Sequence, residues 1–196
     1  MPDTIFLVDY NPHWPAMFTA EQRSLEQACP ALFLQIHHVG STSVAGLAAK
    51  PVIDILAVVA DQSLLDVAQE DAAIPGQNRA IDPRGNASHV AMVRAVSGLG
   101  FTYRGENGLP GRIYFQRRQD GVGAHLHIVA KGSWFVAEQL AFRDWLRANP
   151  SDAQAYQELK RNLASQFAHD RVAYTMEKSD FISQVLRKAG VAPRPA

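Results

Sequence analysis

A glycine-hydroxyl turn and a lone carboxylate are the residues best suited to chemistry. The turn contains one glycine and three hydroxyl side chains: Gly40, Ser41, Thr42 and Ser43. Glycine lets the backbone approach a phosphate closely because it has no side chain. Asp54 follows within the apolar run Val52–Val59, and burying a charge without a partner is costly. The spacing therefore indicates a site in which the turn and Lys50 contact a phosphate and Asp54 binds a metal. The alternative is a tight turn in which Asp54 caps a helix or pairs with Lys50.

Two histidines form a second candidate group. His125 and His127 are two residues apart in a run with strand character, so their imidazoles point to the same face. Such a pair can bind one metal, or one ring can orient the other as a proton carrier. The alternative is a pair of surface histidines.

Charged residues elsewhere could complete an anion site. Glu106 and Arg112 flank a glycine-rich segment between two predicted strands, and a guanidinium offers phosphate a planar, two-pronged contact. Lys160 lies four residues after Tyr156 on a predicted helix. Either Lys160 or Lys178 could reach a triphosphate if it turned inward. The alternatives are an ordinary loop and a solvated helix face.

Composition narrows the class of protein. The chain has 196 residues, 47% of them hydrophobic, and a formal net charge of zero, which gives no basis for nucleic-acid binding. The single cysteine, Cys29, excludes an intramolecular disulfide and a cysteine-rich zinc site. No signal peptide or membrane span is recognisable, so we expect a cytoplasmic protein with no membrane partner.

Periodicity predicts an α+β fold with a mixed sheet of about five strands flanked by helices. The predicted strands are Phe33–Val39, Val52–Val59, 101–104, 111–117 and 123–129, and the predicted helices are 11–28, 88–99, 135–148, 151–169 and 174–189. Residues 61–88 are expected to form an exposed insertion. Ser151 and Gln154 have the spacing of a capping box, which predicts the start of the helix at 151. We expect one domain over 1–190, with a sheet-containing part at 1–133, a helical part at 134–190 and a tail at 191–196.

These motifs, in this order, resemble those of the GrpB-like family. The resemblance rests on 38–44, 50–55, 103–115, 125–127 and several positions between 142 and 178. It implies a nucleotidyltransferase-like fold, in which a Gly-Ser turn precedes two carboxylates two residues apart on a strand and a third on a neighbouring strand. Gly40 and Ser41 match the turn, and Asp54 matches the first carboxylate.

Leu56 occupies the position of the second carboxylate and cannot bind a metal. His125 or His127 could take the place of the third carboxylate. An Asp/His site would suit Zn²⁺ or Mn²⁺ better than Mg²⁺.

Three functions remain open at this stage. The first is a metal-dependent nucleotidyltransferase that binds a nucleotide or phosphorylated small molecule, with Asp54 and His127 as catalytic residues and Ser41 and Arg112 on the phosphates. The second is a binding module that has lost the chemistry. The third is an interaction adaptor, or homodimer, that uses an uncovered apolar stripe on the last helix.

Overall fold

The computed structural model describes residues 4–65, 87–118 and 121–191, and it confirms the expected α+β fold. Its sheet has the order β1-β2-β5-β4-β3. The strands are β1 (Phe33–Val39), β2 (Val52–Val59), β3 (Thr102–Tyr103), β4 (Arg112–Arg117) and β5 (Gly123–Ala130). The helices are α1 (Trp14–Ala28), α2 (Ala87–Gly98), α3 (Trp134–Ala148), α4 (Pro150–Gln166), α5 (Arg171–Met176) and α6 (Ser179–Lys188).

The sheet is mixed because β2 and β5 run parallel while the other neighbouring strands are antiparallel. The parallel register sets Asp54 opposite His125 and Leu56 opposite His127. Side chains alternate along a strand, so all four of these residues share one face of the sheet. This confirms that the two histidines share a face and that their strand is a neighbour of β2.

The opposite face of the sheet carries the main core. Alternate residues of β2, including Ile53 and Ile55, are buried there with Trp14 and Leu25 of α1 and Val96 of α2. This alternation explains why β2 forms a strand: branched residues pack well on a pleated surface that is covered by helices.

On the face that carries Asp54, the apolar cover is smaller. Leu56 and Val129 pack with Phe135 of α3 in a separate cluster. Val44, just after the glycine turn, packs instead with Leu146 of α3 and with α4. The turn is thereby held between the sheet and the helical part of the chain.

The C-terminal helices differ from the prediction in two ways. The structure divides the predicted helix 174–189 into α5 and α6, and α5 begins earlier, at Arg171, where the Asp170 side chain accepts a hydrogen bond from the Ala173 N–H. The predicted start of α4 at Ser151 is one residue late, because Pro150 occupies the first turn.

The apolar face of α6 is covered within the chain. Val185 and Leu186 are buried, and the ring of Phe181 stacks on Tyr156 of α4 at 5.1 Å between centroids. The uncovered stripe that the adaptor hypothesis requires on the last helix is therefore not found on α6.

Parts of the predictions lie outside the described residues, namely most of the insertion at 66–86 and the tail at 192–196. Within the described ranges, no helix combines the length and the apolar character needed to cross a bilayer.

Candidate functional site

The glycine turn packs directly against the carboxylate of Asp54. Gly40 has φ 68° and ψ −174°, a conformation that is essentially restricted to glycine. A Cβ atom at this position would lie 2.3 Å from Oδ2 of Asp54. Glycine is therefore required twice, for the backbone conformation and for the close approach of Asp54.

A buried histidine supports the turn from below. The Thr42 hydroxyl donates to the Val52 carbonyl at 3.0 Å, and Nε2 of His38 lies 3.0 Å from the same hydroxyl. Because the only hydroxyl proton is directed at Val52, Nε2 of His38 must carry the proton and donate it. Burial lowers the pKa of His38 to about 4, so the ring is neutral. It stacks on Phe18 at 4.8 Å.

Two arginines of α3 hold the turn from the helical side. Arg147 donates to the Ser43 carbonyl through Nε at 3.0 Å and through a terminal nitrogen at 2.8 Å. Arg143 donates to the His38 carbonyl at 3.1 Å. These contacts fix backbone carbonyls on both sides of Gly40.

Asp54 and His125 form a polar pair at the start of the parallel strands. Nδ1 of His125 lies 3.1 Å from Oδ1 of Asp54, and 29% of the aspartate side chain remains exposed. Burial opposes the charge of Asp54, but the hydrogen bond from His125 and the nearby imidazoles hold its pKa below the usual value. Asp54 is therefore a carboxylate at neutral pH.

His127 is directed elsewhere, because its register position is opposite Leu56 rather than Asp54. A terminal nitrogen of Arg112 lies 3.3 Å from Nδ1 of His127, and a guanidinium can only donate, so Nδ1 accepts. Burial, and to a smaller extent the charge of Arg112, lower the pKa of His127 to about 3 against the opposing effect of Asp54. His127 is thus a neutral partner of an arginine.

Arg112 and Glu106 stabilise the loop between β3 and β4. The Arg112 guanidinium donates to the carbonyls of Glu106 and Asn107, and the Glu106 carboxylate accepts from the Gly111 N–H at 2.6 Å. The structure does not bring these two predicted phosphate ligands to the cavity beside Asp54.

That cavity has a volume of about 170 Å³ and lies between the turn, the start of β2 and helices α4 and α5. Its cationic lining residues are Lys50, Lys160, Arg171 and Lys178. Its hydroxyl groups come from Ser41, Thr42, Tyr156, Tyr174 and Thr175. Among the described residues that line the cavity, Asp54 supplies the one carboxylate, so positive charge is in excess.

Lys160 is the most deeply buried of these cations, with 2% of its surface exposed. Its ammonium donates to the Ser41 hydroxyl at 3.1 Å and to the Ala48 carbonyl, and it lies 4.8 Å from the Tyr156 ring centre. Burial and then the nearby charge of Lys178 lower the pKa of Lys160 to about 7.

Lys50 and Lys178 share the ring of Tyr174. Their ammonium nitrogens lie 4.5 Å and 4.4 Å from its centre. Burial and then the charge of Lys50 lower the pKa of Lys178 to about 8. A negatively charged ligand bound beside Lys50 and Lys178 would offset the repulsion between their ammonium groups.

The site predictions missed three cavity residues from α5, namely Arg171, Tyr174 and Thr175; Lys178, just beyond its end, is the residue of this group that the sequence suggested as a phosphate contact. All four follow the i, i+3, i+4, i+7 spacing that places side chains on one helical face. That spacing was the available signal. The sequence could not show that this face turns toward Gly40, because the packing of α5 is set by distant contacts.

The predicted metal ligands are only partly assembled. Asp54 and His125 meet, whereas His127 pairs with Arg112. In residues 4–65, 87–118 and 121–191, no group of three or more His, Cys, Asp or Glu side chains could hold a metal ion. With four cations around one carboxylate, the residues present fit a phosphate better than a resident metal.

Comparisons with known proteins agree over nearly the whole chain. A family model described as "GrpB protein" matches residues 4–76 and 81–188. A UPF0157 protein of Halalkalibacterium halodurans is 32% identical over 95% of this chain and 83% of its own length. A UPF0157 protein of Pseudomonas aeruginosa is 34% identical over 98% of this chain and 70% of its own length. The crystal structure of the conserved protein GrpB from Enterococcus faecalis superposes with a TM-score of 0.75 at 30% identity, covering 94% of this chain and 96% of that one.

Proposed function

This chain belongs to the GrpB family, and we propose that it binds a nucleotide or another phosphorylated small molecule in its cavity. The phosphoryl group lies among the lysines, close to the Ser41 hydroxyl. One observation carries the proposal: four cationic side chains and one carboxylate line a single small cavity.

Charge balance supports this assignment. Lys160 is buried and donates to a neutral hydroxyl and a neutral carbonyl, neither of which offsets its charge. Burying a charge without a counter-ion is unfavourable, so a ligand anion stabilises this arrangement. Charge-assisted hydrogen bonds to phosphate oxygens are roughly twice as strong as neutral ones.

Isothermal titration calorimetry tests the proposal. ATP, CTP, GTP, UTP and inorganic pyrophosphate are titrated into the protein, with adenosine as a ligand that lacks phosphate. We expect binding by at least one phosphorylated compound and none by adenosine. Lys160→Met should weaken that binding by about 10-fold or more, since a hydrogen bond to a charged group contributes ~1.5–3 kcal/mol.

Lys131→Met is the matched control, because Lys131 is exposed and lies outside the cavity lining. Its affinity should stay within about two-fold of wild type, since the cost of losing a surface charge is small at physiological salt. Absence of binding by every phosphorylated compound would overturn the proposal. An equal loss in both variants would show that the attraction is a general surface effect.

Nucleotidyl transfer is a second candidate, and the contact between Asp54 and His125 beside the cavity favours it. These two residues would hold a divalent ion such as Mg²⁺, Mn²⁺ or Zn²⁺, which supplies neutralising charge on phosphate oxygens when bound. Turnover of a nucleoside triphosphate that depends on a divalent ion and is lost in Asp54→Asn would support transfer. Binding of a nucleotide without turnover would support a binding module that has lost the chemistry.

A further inference from the structure

Lys178 differs from the buried Lys160 in the contacts that its amine makes. Lys160 donates two of its three N–H groups, to Ser41 and Ala48. The half-buried Lys178 rests on the face of Tyr174, and within the described part of the chain its ammonium makes no ion pair. Lys178 lines the cavity, so a molecule bound there lies beside it.

The neighbours of Lys178 favour the neutral amine. Lys50 shares the Tyr174 ring with it, Arg171 lines the same cavity seven residues earlier in the chain, and Asp54 acts on it only at a distance. With a pKa of about 8, roughly a quarter of the molecules carry the free amine near pH 7.5, against ~0.1% for an ordinary lysine. Desolvation beside another cation is one way in which a lysine becomes a nucleophile.

We propose that Lys178 forms an imine with a phosphorylated aldehyde or ketone whose phosphate occupies the cationic cavity. The inference rests on the proposed phosphate site and adds a reaction to it. The phosphate provides binding energy and orientation, and the amine provides the covalent step.

The step is balanced without any co-reactant. The nitrogen lone pair of Lys178 attacks the carbonyl carbon, and the carbonyl oxygen becomes a hydroxyl group as the nitrogen loses a proton. The hydroxyl then takes the second proton of the nitrogen and leaves as water, while the nitrogen lone pair forms the C=N bond. Asp54 and His125 line the same cavity and form a hydrogen-bonded pair that can carry the proton between nitrogen and oxygen.

Pyridoxal 5′-phosphate is a suitable probe because it carries both an aldehyde and a phosphate. The protein is incubated with it at about pH 7.5, reduced with borohydride, and mapped by peptide mass spectrometry. We expect labelling of Lys178 at least ~10-fold faster than of the exposed Lys131, since its free-amine fraction is larger. Pyrophosphate should slow this labelling, and pyridoxal, which lacks phosphate, should label Lys178 more slowly.

Lys178→Arg keeps the positive charge and removes the nucleophile, so it should abolish the label at this position. Pyridoxine 5′-phosphate has no aldehyde and reports the anion site alone; it should bind wild type and Lys178→Arg within about three-fold of each other. If it binds but labelling of wild type is no faster at Lys178 than at Lys131, the imine proposal is overturned and the phosphate site stands. If neither compound binds, both proposals fail. Mapping of wild type decides the question even if the variant does not fold.

Discussion

Replacing Gly40 with alanine tests the close approach between the glycine turn and Asp54. The backbone conformation of Gly40 costs an alanine roughly 1–3 kcal/mol. The new Cβ would also lie 2.3 Å from Oδ2 and 2.9 Å from Cγ of Asp54, so the carboxylate must move. That movement breaks the hydrogen bond to His125, which adds about 1–3 kcal/mol. We therefore expect Gly40→Ala to lower the free energy of unfolding by roughly 2–6 kcal/mol.

Gly46→Ala is the matched control. Gly46 also has a positive φ, 78°, but an added Cβ there would meet no atom within 4 Å. It should cost only ~1–2 kcal/mol. Both variants are measured by urea unfolding.

A double-mutant cycle with Asp54→Ala isolates the collision itself, because that change removes Oδ2 and Cγ. The cost of Gly40→Ala should then fall by about 1–3 kcal/mol, the part assigned to the lost hydrogen bond. Equal costs for Gly40→Ala and Gly46→Ala, with no coupling to Asp54, would refute the proposed geometry.

Three further predictions concern the cavity and its supports. In the folded protein the pKa is about 7 for Lys160 and about 8 for Lys178, and both values lie below that of a lysine in the unfolded chain. Above pH 7 the ligand-free native state therefore binds fewer protons than the unfolded state. Its stability should rise with pH from about 7 to 10 in urea unfolding, and pyrophosphate affinity by calorimetry should fall over the same range; opposite slopes would contradict this. Thr42→Val should lower the free energy of unfolding by ~1–3 kcal/mol, because it leaves the His38 ring and the Val52 carbonyl without their partner. The control, Thr19→Val at an exposed helix position, should lower it by less than about 0.5 kcal/mol. Equal losses in urea unfolding would show that the Thr42 hydroxyl is not needed. Arg112→Met should lower stability by about 2–4 kcal/mol yet leave pyrophosphate affinity within about two-fold, and a large loss of affinity would return Arg112 to the site.

The sheet and the first half of the site could be predicted because their signals are local. Val52–Val59 is a continuous apolar run of strand length, and the structure gives the predicted bounds. The two-residue spacing of His125 and His127 fixes their shared face, since side-chain direction alternates in any strand. A parallel neighbour was enough to bring His125 to Asp54.

The remaining parts depend on long-range packing, which local patterns do not encode. Arg112 has the composition of a phosphate ligand, but nearby carbonyls take up its donors once the β3–β4 loop closes over it. His127 lies opposite Leu56, two residues beyond Asp54 along the neighbouring strand, and the spacing within one strand cannot reveal which residues pair across the sheet. The division between α5 and α6 was missed because residues 174–189 contain neither glycine nor proline to mark it.

A capping pattern also gave the wrong start for α4. Ser151 and Gln154 have the spacing of a capping box, yet Pro150 takes the first helical position and Ser151 lies inside the helix. Gln154 instead donates to Glu158 one turn later, at 3.1 Å. A proline just before a capping motif can therefore shift the helix start, because its fixed φ already suits the first turn.

The central claim is that the cavity between Gly40 and α5 binds a phosphoryl group. A crystal structure of the protein soaked with pyrophosphate, or with the nucleotide that binds best in calorimetry, tests it most directly. We expect phosphate oxygens within about 3 Å of the Lys160 ammonium nitrogen and the Ser41 hydroxyl oxygen, the distance of a hydrogen bond. A saturating soak that leaves this cavity without phosphate, or that places the phosphate at another surface, would contradict it.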